Sequence, residues 1–311
     1  MKNIFNTKYP ILSAAMNQVS DLGLALAVHQ AGAMPCISSH CYRTPGIKTI
    51  STELLDPVFD EFIKQTGSRN CMLSVEITDP LIPGFVDFIK KHRITWIEIF
   101  TGNTIGQEIT DETRLQTRSI LEQLHRDTGL STMLRYGGIY QERHRYWMPR
   151  NYFFSAISVK GNDSAGRKGE LSTRELFDSR IENPLPDVAL VPMGGVGYPH
   201  QVKYYLERGA GAVAVGTLFA ACQESPLTPE AKQKMVEASS ADIQVLPTKN
   251  QNAIILGDGV ENDDANRTKS LTAGVTGDGT RGHIFVGNGI DAVNEIRTAQ
   301  QVVEYLMDVG Q

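Results

Sequence analysis

The stretch "DVALVPMGGVGYPHQVKYYLERGAGAVAVGT", Asp187 to Thr217, reads as one strand–helix–strand unit. "DVALVPM" and "GAVAVG" are short, nearly continuous apolar runs, the pattern of strands buried on both faces of a parallel sheet. "PHQVKYYLERGAG" between them has helical spacing and closes in glycine, a common helix stop.

Working outward, the same alternation recurs along the chain. Further strand-like runs are "PILSAA" from Pro10, "MPCIS" from Met34, "CMLSVEI" from Cys71, "ITWIEIF" from Ile94, "LSTMLRY" from Leu130 and "FFSAISV" from Phe153. Amphipathic stretches such as "LGLALAVHQAG", "PVFDEFIKQTG", "FVDFIKKH" and "TRLQTRSILEQLHRDTG" lie between them. Eight strands with intervening helices predict an α/β fold, a (β/α)8 TIM barrel. A doubly wound open sheet is the alternative, because "GGIYQERHRYWMPRNY" replaces a clean helix between the fifth and sixth strands.

After Cys222 the character changes. "SPLTPEAKQKMVEASSAD" is helical, the Gly-, Asp- and Asn-rich stretch from Asn250 to Asp291 reads as loop with a hairpin at "NAIILGDG", and "DAVNEIRTAQQVVEYLMD" is helical again. The expected organisation is a barrel over residues 1–222, with a loop-rich C-terminal elaboration over 223–311 packed on it in the same domain.

The chain of 311 residues is 41% hydrophobic and 21% charged, with 30 basic and 35 acidic side chains and a net charge of −5. No basic stripe supports nucleic acid as a partner. The basic, aromatic cluster "QERHRYWMPR" (Gln141 to Arg150) suits a lid or a homodimer contact. No apolar run approaches the roughly 20 residues that span a bilayer, and the N-terminus does not read as a signal peptide, so a cytoplasmic location is expected. Cys36, Cys41, Cys71 and Cys222 show no C-x-x-C spacing, and reduced thiols are expected. His40 and Cys41 are adjacent after the second strand; no metal is expected there, and Cys41 as a nucleophile would need a lowered pKa.

In such a barrel ligands sit at the C-terminal ends of the strands, and the loops after strands seven and eight often hold a phosphate. Those loops are "MGGVG" (Met193 to Gly197) and "VGT" (Val215 to Thr217). Gly194 and Gly195 would turn backbone N–H groups toward phosphate oxygens, the helix from Pro199 would add its positive end, and Gly216 and Thr217 would add an N–H and a hydroxyl. A third Gly-rich loop, "KGNDSAGRKG" (Lys160 to Gly169), follows the sixth strand and carries basic side chains. Glu98 and Arg135, late in strands four and five, are placed to pair inside the barrel mouth.

Three segments resemble the nitronate monooxygenases, FMN-dependent (β/α)8 barrels formerly called 2-nitropropane dioxygenases. They are "YPILSAAMNQVSDLGLALAVHQAGA", "KGNDSAGRKG" and "PMGGVGYPHQVKYYLERGAGAVAVGTLFAACQES"; the tail "DAVNEIRTAQQVVEYL" is similar as well. The resemblance implies FMN as cofactor. Met16 and Asn17 would lie beside the flavin ring, Ala165 and Gly166 would line it, and Gly194, Gly195, Gly216 and Thr217 would hold its phosphate. Glu76 falls where the family often has an asparagine that contacts the cofactor, and Lys160 where it often has a glutamine. Arg167 occupies the place of the family's active-site histidine. Arginine stays charged and cannot exchange a proton near neutral pH, so Arg167 and Lys160 are expected to clamp a small anionic substrate or to favour reduced flavin. The implied activity is an FMN-dependent oxidoreductase passing electrons from that substrate to oxygen. The alternatives are a flavin barrel using NAD(P)H, similar to enoyl-thioester reductases or inosine-monophosphate dehydrogenase, and a non-catalytic barrel that binds a phosphate ligand.

Overall fold

The computed structural model describes residues 3–43, 50–100, 110–137, 154–167, 169–185, 187–246, 251–256 and 282–309. The cluster Gln141 to Arg150 lies outside them, as does the Asp-rich part of the C-terminal stretch. Strands β1 (Ile11–Ser13), β2 (Cys36–Ser38), β3 (Met72–Glu76), β4 (Trp96–Phe100), β5 (Ser131–Gly137), β6 (Ala156–Lys160), β8 (Ala189–Met193) and β9 (Val213–Val215) form one sheet, and their pairs are parallel. The order β1-β9-β8-β6-β5-β4-β3-β2 is brought round into a barrel by a parallel bridge between Leu12 and Met34.

Helices α1 (Leu22–Gln30), α2 (Thr52–Thr66), α3 (Phe85–His92), α4 (Asp111–Thr128), α5 (Thr173–Glu182) and α6 (Pro199–Glu207) lie between the strands. Local chemistry sets their ends. Thr110 caps α4 by accepting from the Thr113 N–H, and Gly129, at φ +74°, ends it in the left-handed region that glycine tolerates. Ser172 and Glu175 form a reciprocal capping box on α5. The short α7 (Thr217–Ala220), then α8 (Pro229–Glu237) and α9 (Ala299–Leu306), complete the shell.

The two faces of each strand explain the continuous apolar runs. Leu73 and Val75 of β3 pack outward against α2 and α3 residues such as Phe62 and Phe88, while Met72 points inward with Leu12, Met34 and Met133. At the N-terminal end of the barrel the Phe5 and Trp96 rings meet edge to face at 4.9 Å. Above this apolar plug comes a polar layer. The Ser74 hydroxyl donates to Glu98 Oε2 at 2.8 Å, and the Arg135 guanidinium holds the same carboxylate through Nε at 3.0 Å to Oε1 and through Nη2 to Oε2. The expected Glu98–Arg135 pair is therefore present.

The C-terminal stretch holds more regular structure than its composition predicts. Strands β10 (Gln244–Leu246), β11 (Gln251–Leu256) and β12 (Gly282–Phe285) form an antiparallel sheet. Ala253, Ile254, Leu256, Ile284 and Val286 are buried, and the last four share a core cluster with barrel residues such as Val215 and Phe219. The two-residue β7 (Gly166–Arg167), inside the loop after β6, pairs with β11 through Gly166↔Asn252 and Arg167↔Gln251. β7 and β12 follow one another along the same edge of β11, so the C-terminal sheet reaches the barrel mouth.

Candidate functional site

The C-terminal ends of β1, β5, β6, β8 and β9 surround one pocket. Ala14, Ala15 and Met16 enter from β1 and its turn, Arg135 from β5, and Lys160, Ser164 and Ala165 from β6 and its loop. Met193, Gly194, Gly195 and Val196 close it from β8, and Ala214, Gly216 and Thr217 from β9. Two cationic side chains thus stand among small residues and exposed backbone. The Lys160 ammonium donates to the Ala165 carbonyl at 2.7 Å, which ties it to the loop that it leads into.

The glycines of this pocket are required by close approach. Gly195 has φ +64°, and a Cβ there would stand 2.6 Å from Asp163 Oδ2; at Gly194, φ +138°, it would stand 2.6 Å from Ser164 Cβ and Thr173 Oγ1. Gly216 differs, since its added Cβ would meet only Ala14 and Met16 at ordinary contact, 3.6 Å. Among the described residues, the Gly195 N–H has no protein acceptor. Thr217 Oγ1 accepts from the Gly287 N–H at 3.2 Å and keeps its own proton to donate. An N–H and a hydroxyl on adjacent loops, with Lys160 and Arg135 lining the same pocket, form a donor set suited to a phosphate and a polar ring.

Hydrogen bonds lock the loop after β6. Thr173 donates to Asp163 Oδ1 from its N–H at 3.0 Å and its hydroxyl at 2.5 Å, and the Ser164 hydroxyl donates to the Gly161 carbonyl at 2.6 Å. From the C-terminal sheet, the Asn252 side-chain amide donates to the Asn162 and Ser164 carbonyls, and the Asn288 N–H donates to the Asp163 carbonyl.

A model of the nitronate monooxygenase family matches residues 151–308, just over half of the chain. The chain belongs to the nitronate monooxygenase family. Its fold is that of FabK from Thermotoga maritima (TM-score 0.75, 20% identity, 98% of this chain and 93% of that one covered). Nitroalkane oxidase from Streptomyces ansochromogenes is also similar (0.71, 16%, 96% and 95%), as is the enoyl reductase domain of MlnA from Bacillus amyloliquefaciens (0.64, 10%, 98% and 94%). Comparison with curated proteins gave no match.

Within this family member, the expected cofactor residues Met16, Lys160, Ala165, Gly194, Gly195, Gly216 and Thr217 converge on the one pocket. Asn17, Glu76 and Gly166 do not line it. Gly166 adjoins it, because a Cβ there would lie 4.0 Å from Lys160 Nζ. Arg167 has its backbone fixed by pairing with Gln251; its side chain lies outside the described residues. The start of α6 contributes less than its sequence suggests, since the Gly197 and Tyr198 N–H groups both donate to Gln201 Oε1, at 2.8 and 3.0 Å.

Glu76 instead anchors a charged cluster on the β2–β3 side of the mouth. Its Oε1 lies 3.1 Å from His40 Nε2 and 3.3 Å from Arg43 Nη1, and Arg43 Nη2 donates to Asp79 Oδ2 at 2.8 Å. Burial pushes Asp79 up to about 6, against the pull of Arg43. Burial also lowers the His40 pKa below the usual imidazole value, with Glu76 acting the other way. Cys41 is not activated, because burial pushes its thiol well above the ordinary range.

Sequence reasoning did not single out Ala14, Ser164, Val196 or Ala214 in the pocket wall, nor Asn252 behind it. It also missed α5, whose signal was present in Ser172 and Glu175 at capping-box spacing. His283 is buried on β12 with its ring 4.9 Å from Phe285. Phe285 in turn stands 4.0 Å from the position of a Cβ on Gly166. Among the described residues no group of three or more potential metal ligands is present, and no helix is long and apolar enough to cross a membrane.

Proposed function

We propose that this protein is an FMN-dependent oxidoreductase of the nitronate monooxygenase type, which oxidises a small anionic substrate with oxygen as electron acceptor. The observation that carries this reading is the convergence of Met16, Lys160, Ala165, Gly194, Gly195, Gly216 and Thr217 on one pocket at the strand ends of a family member. The pocket fits the group: the Gly195 N–H and the Thr217 hydroxyl are donors for its phosphate, and Met16 with Ala165 offers flat apolar contact for its ring.

When bound, the flavin supplies the two-electron acceptor for the substrate. The chain supplies position and charge. Lys160 and Arg135 present positive charge to an anion in the pocket, and Glu98 and Ser74 fix the Arg135 guanidinium in place. Arg167, carried on β7, adds a cation that orients an anion and does not take a proton. The C-terminal sheet covers the loop and excludes water from the pocket wall.

The test is the visible spectrum of the FMN-loaded protein without oxygen, before and after addition of an alkyl nitronate. Bleaching of the flavin band supports the reading, and Arg167→Ala should weaken it. A band that ignores the nitronate and bleaches with NAD(P)H would replace it with a reductase. Failure to bind FMN would remove it.

A further inference from the structure

Two cations line the pocket, and they differ in what they can recognise. Lys160 carries a point charge on a flexible stem, which attracts anions of any shape. A guanidinium is a planar fork with set donor directions, so it reads shape as well as charge. Arg135 is such a fork, and the chain aims it without help from a ligand. Its Nε donates to Glu98 Oε1 at 3.0 Å, and its Nη2 donates to Glu98 Oε2. Nη2 also reaches the Ser74 hydroxyl at 3.4 Å, and that hydroxyl donates to Glu98 Oε2 at 2.8 Å. Glu98 is fully buried, so the carboxylate that aims the fork is itself held. The Phe100 ring covers one face of the guanidinium, 4.8 Å from its centre.

What remains is Nη1. Among the described residues it has no acceptor, and it is not among the buried atoms left unpaired. The Arg135 side chain keeps 19% of its surface exposed, and it lines the pocket.

We infer that Arg135 is the specificity-determining residue of this pocket, and that it selects planar oxyanions, carboxylates and nitronates alike, over spherical ions of the same charge. The inference rests on the flavin-dependent reading above and deepens it by naming the shape of the anion. One oxygen of a planar anion accepts from Nη1 in the plane of the fork, and a second is left for the Lys160 ammonium. A halide has one centre and no plane, so it gains the attraction of charge alone. Glu98 supplies both aim and a negative charge, and its removal separates the two effects. Loss of the charge strengthens every anion, whereas loss of the aim weakens the distinction among them.

The experiment is calorimetric titration of the FMN-loaded protein with nitrate, acetate, chloride and bromide, in the wild type, Arg135→Lys and Glu98→Gln. Acetate is strongly hydrated and nitrate weakly, so a preference that both share over the halides is one of shape. We expect the wild type to bind each planar anion roughly 10-fold more tightly than either halide. Arg135→Lys keeps the charge and loses the fork, so the preference should shrink to within roughly 2-fold. Glu98→Gln should bind halides more tightly than the wild type and yet discriminate less, with melting curves showing that each variant is folded. Acetate should also compete with ethyl nitronate in bleaching without oxygen, raising the half-saturating concentration and leaving the limiting rate unchanged. Equal wild-type affinity for planar anions and halides, or an undiminished preference in Arg135→Lys, would overturn the inference and leave the flavin reading standing. So would a Glu98→Gln protein that binds every anion more tightly in unchanged proportion. A protein that takes up no FMN would remove the flavin reading, and the same titrations without FMN would still decide the preference.

Discussion

Asn252 donates from its side-chain amide to the carbonyl oxygen of Ser164 at 2.9 Å, a contact between residues 88 positions apart. The same amide reaches the Asn162 carbonyl at 2.8 Å, and Asn252 is almost completely buried. One side chain of the C-terminal sheet thus fixes two carbonyls of the loop whose Lys160, Ser164 and Ala165 line the pocket.

Asn252→Ala should therefore loosen the pocket as well as the fold. Each lost hydrogen bond leaves a buried carbonyl unsatisfied, at about 1–3 kcal/mol. Urea unfolding should show that loss, and titration with FMN should show weaker binding. Unchanged FMN affinity in a destabilised protein would separate the sheet from the site.

Gly195→Ala and Gly216→Ala form a contrasting pair. The first places a methyl group 2.6 Å from the Asp163 carboxylate at φ +64°, where a side chain already costs about 1–2 kcal/mol. The second meets only ordinary contacts at 3.6 Å. Gly195→Ala should lower the melting temperature and abolish FMN binding, whereas Gly216→Ala should fold normally and report only on the approach of the phosphate. Equal melting losses in both would contradict the geometry.

Glu98 is fully buried and forms an ion pair with Arg135. Removing one partner of a buried pair costs about 3–5 kcal/mol, because the other charge is left uncompensated. Glu98→Gln should show a loss toward the lower end of that range in denaturant unfolding, since the pocket gives the guanidinium some access to water. A neutral outcome would mean that the pair is solvated.

Asp79 sets a pH dependence of known sign. Its folded pKa of about 6 lies above the value of about 4 for an unfolded chain, so the folded state binds the extra proton between these limits. Stability from this group falls as pH rises from about 4 to 6. Urea midpoints for the wild type and Asp79→Asn should diverge across that window, the wild type losing more on the way up. Parallel curves would show that Arg43 compensates fully.

Cys41 should resist alkylation. Burial disfavours its thiolate, so iodoacetamide at pH 8 should modify it slowly in the native protein and rapidly in urea. Fast labelling of the native state would reopen it as a nucleophile.

The barrel was legible because burial on both faces leaves a plain mark. In β3 the inward Met72 and the outward Leu73 and Val75 are all apolar, so the whole strand stands out from its neighbours. The Gly194–Gly195 turn was legible because both residues answer to backbone geometry and close packing that few other residues tolerate. The β7–β11 pairing was not, since it depends on contact between Gly166 and Asn252, and no local pattern reports a partner that distant. Gln251 and Asn252 read as polar loop; both are buried, and the Asn252 amide is matched to loop carbonyls that only the folded chain presents. Glu76 misled for a related reason. Its strand position was right, but its partners His40, Arg43 and Asp79 lie in turns whose paths the sequence does not specify.

The β7–β11 pairing also bears on the order of events during synthesis. All eight barrel strands precede residue 216, whereas the strand that pins the loop after β6 begins at Gln251 and the N–H that meets Thr217 belongs to Gly287. A chain leaving the ribosome N-terminus first has its complete barrel outside before it has a finished pocket. Capture of the proposed cofactor would then be a late step, and a nascent chain stalled ahead of Gln251 would expose an open mouth to whatever handles unfinished proteins.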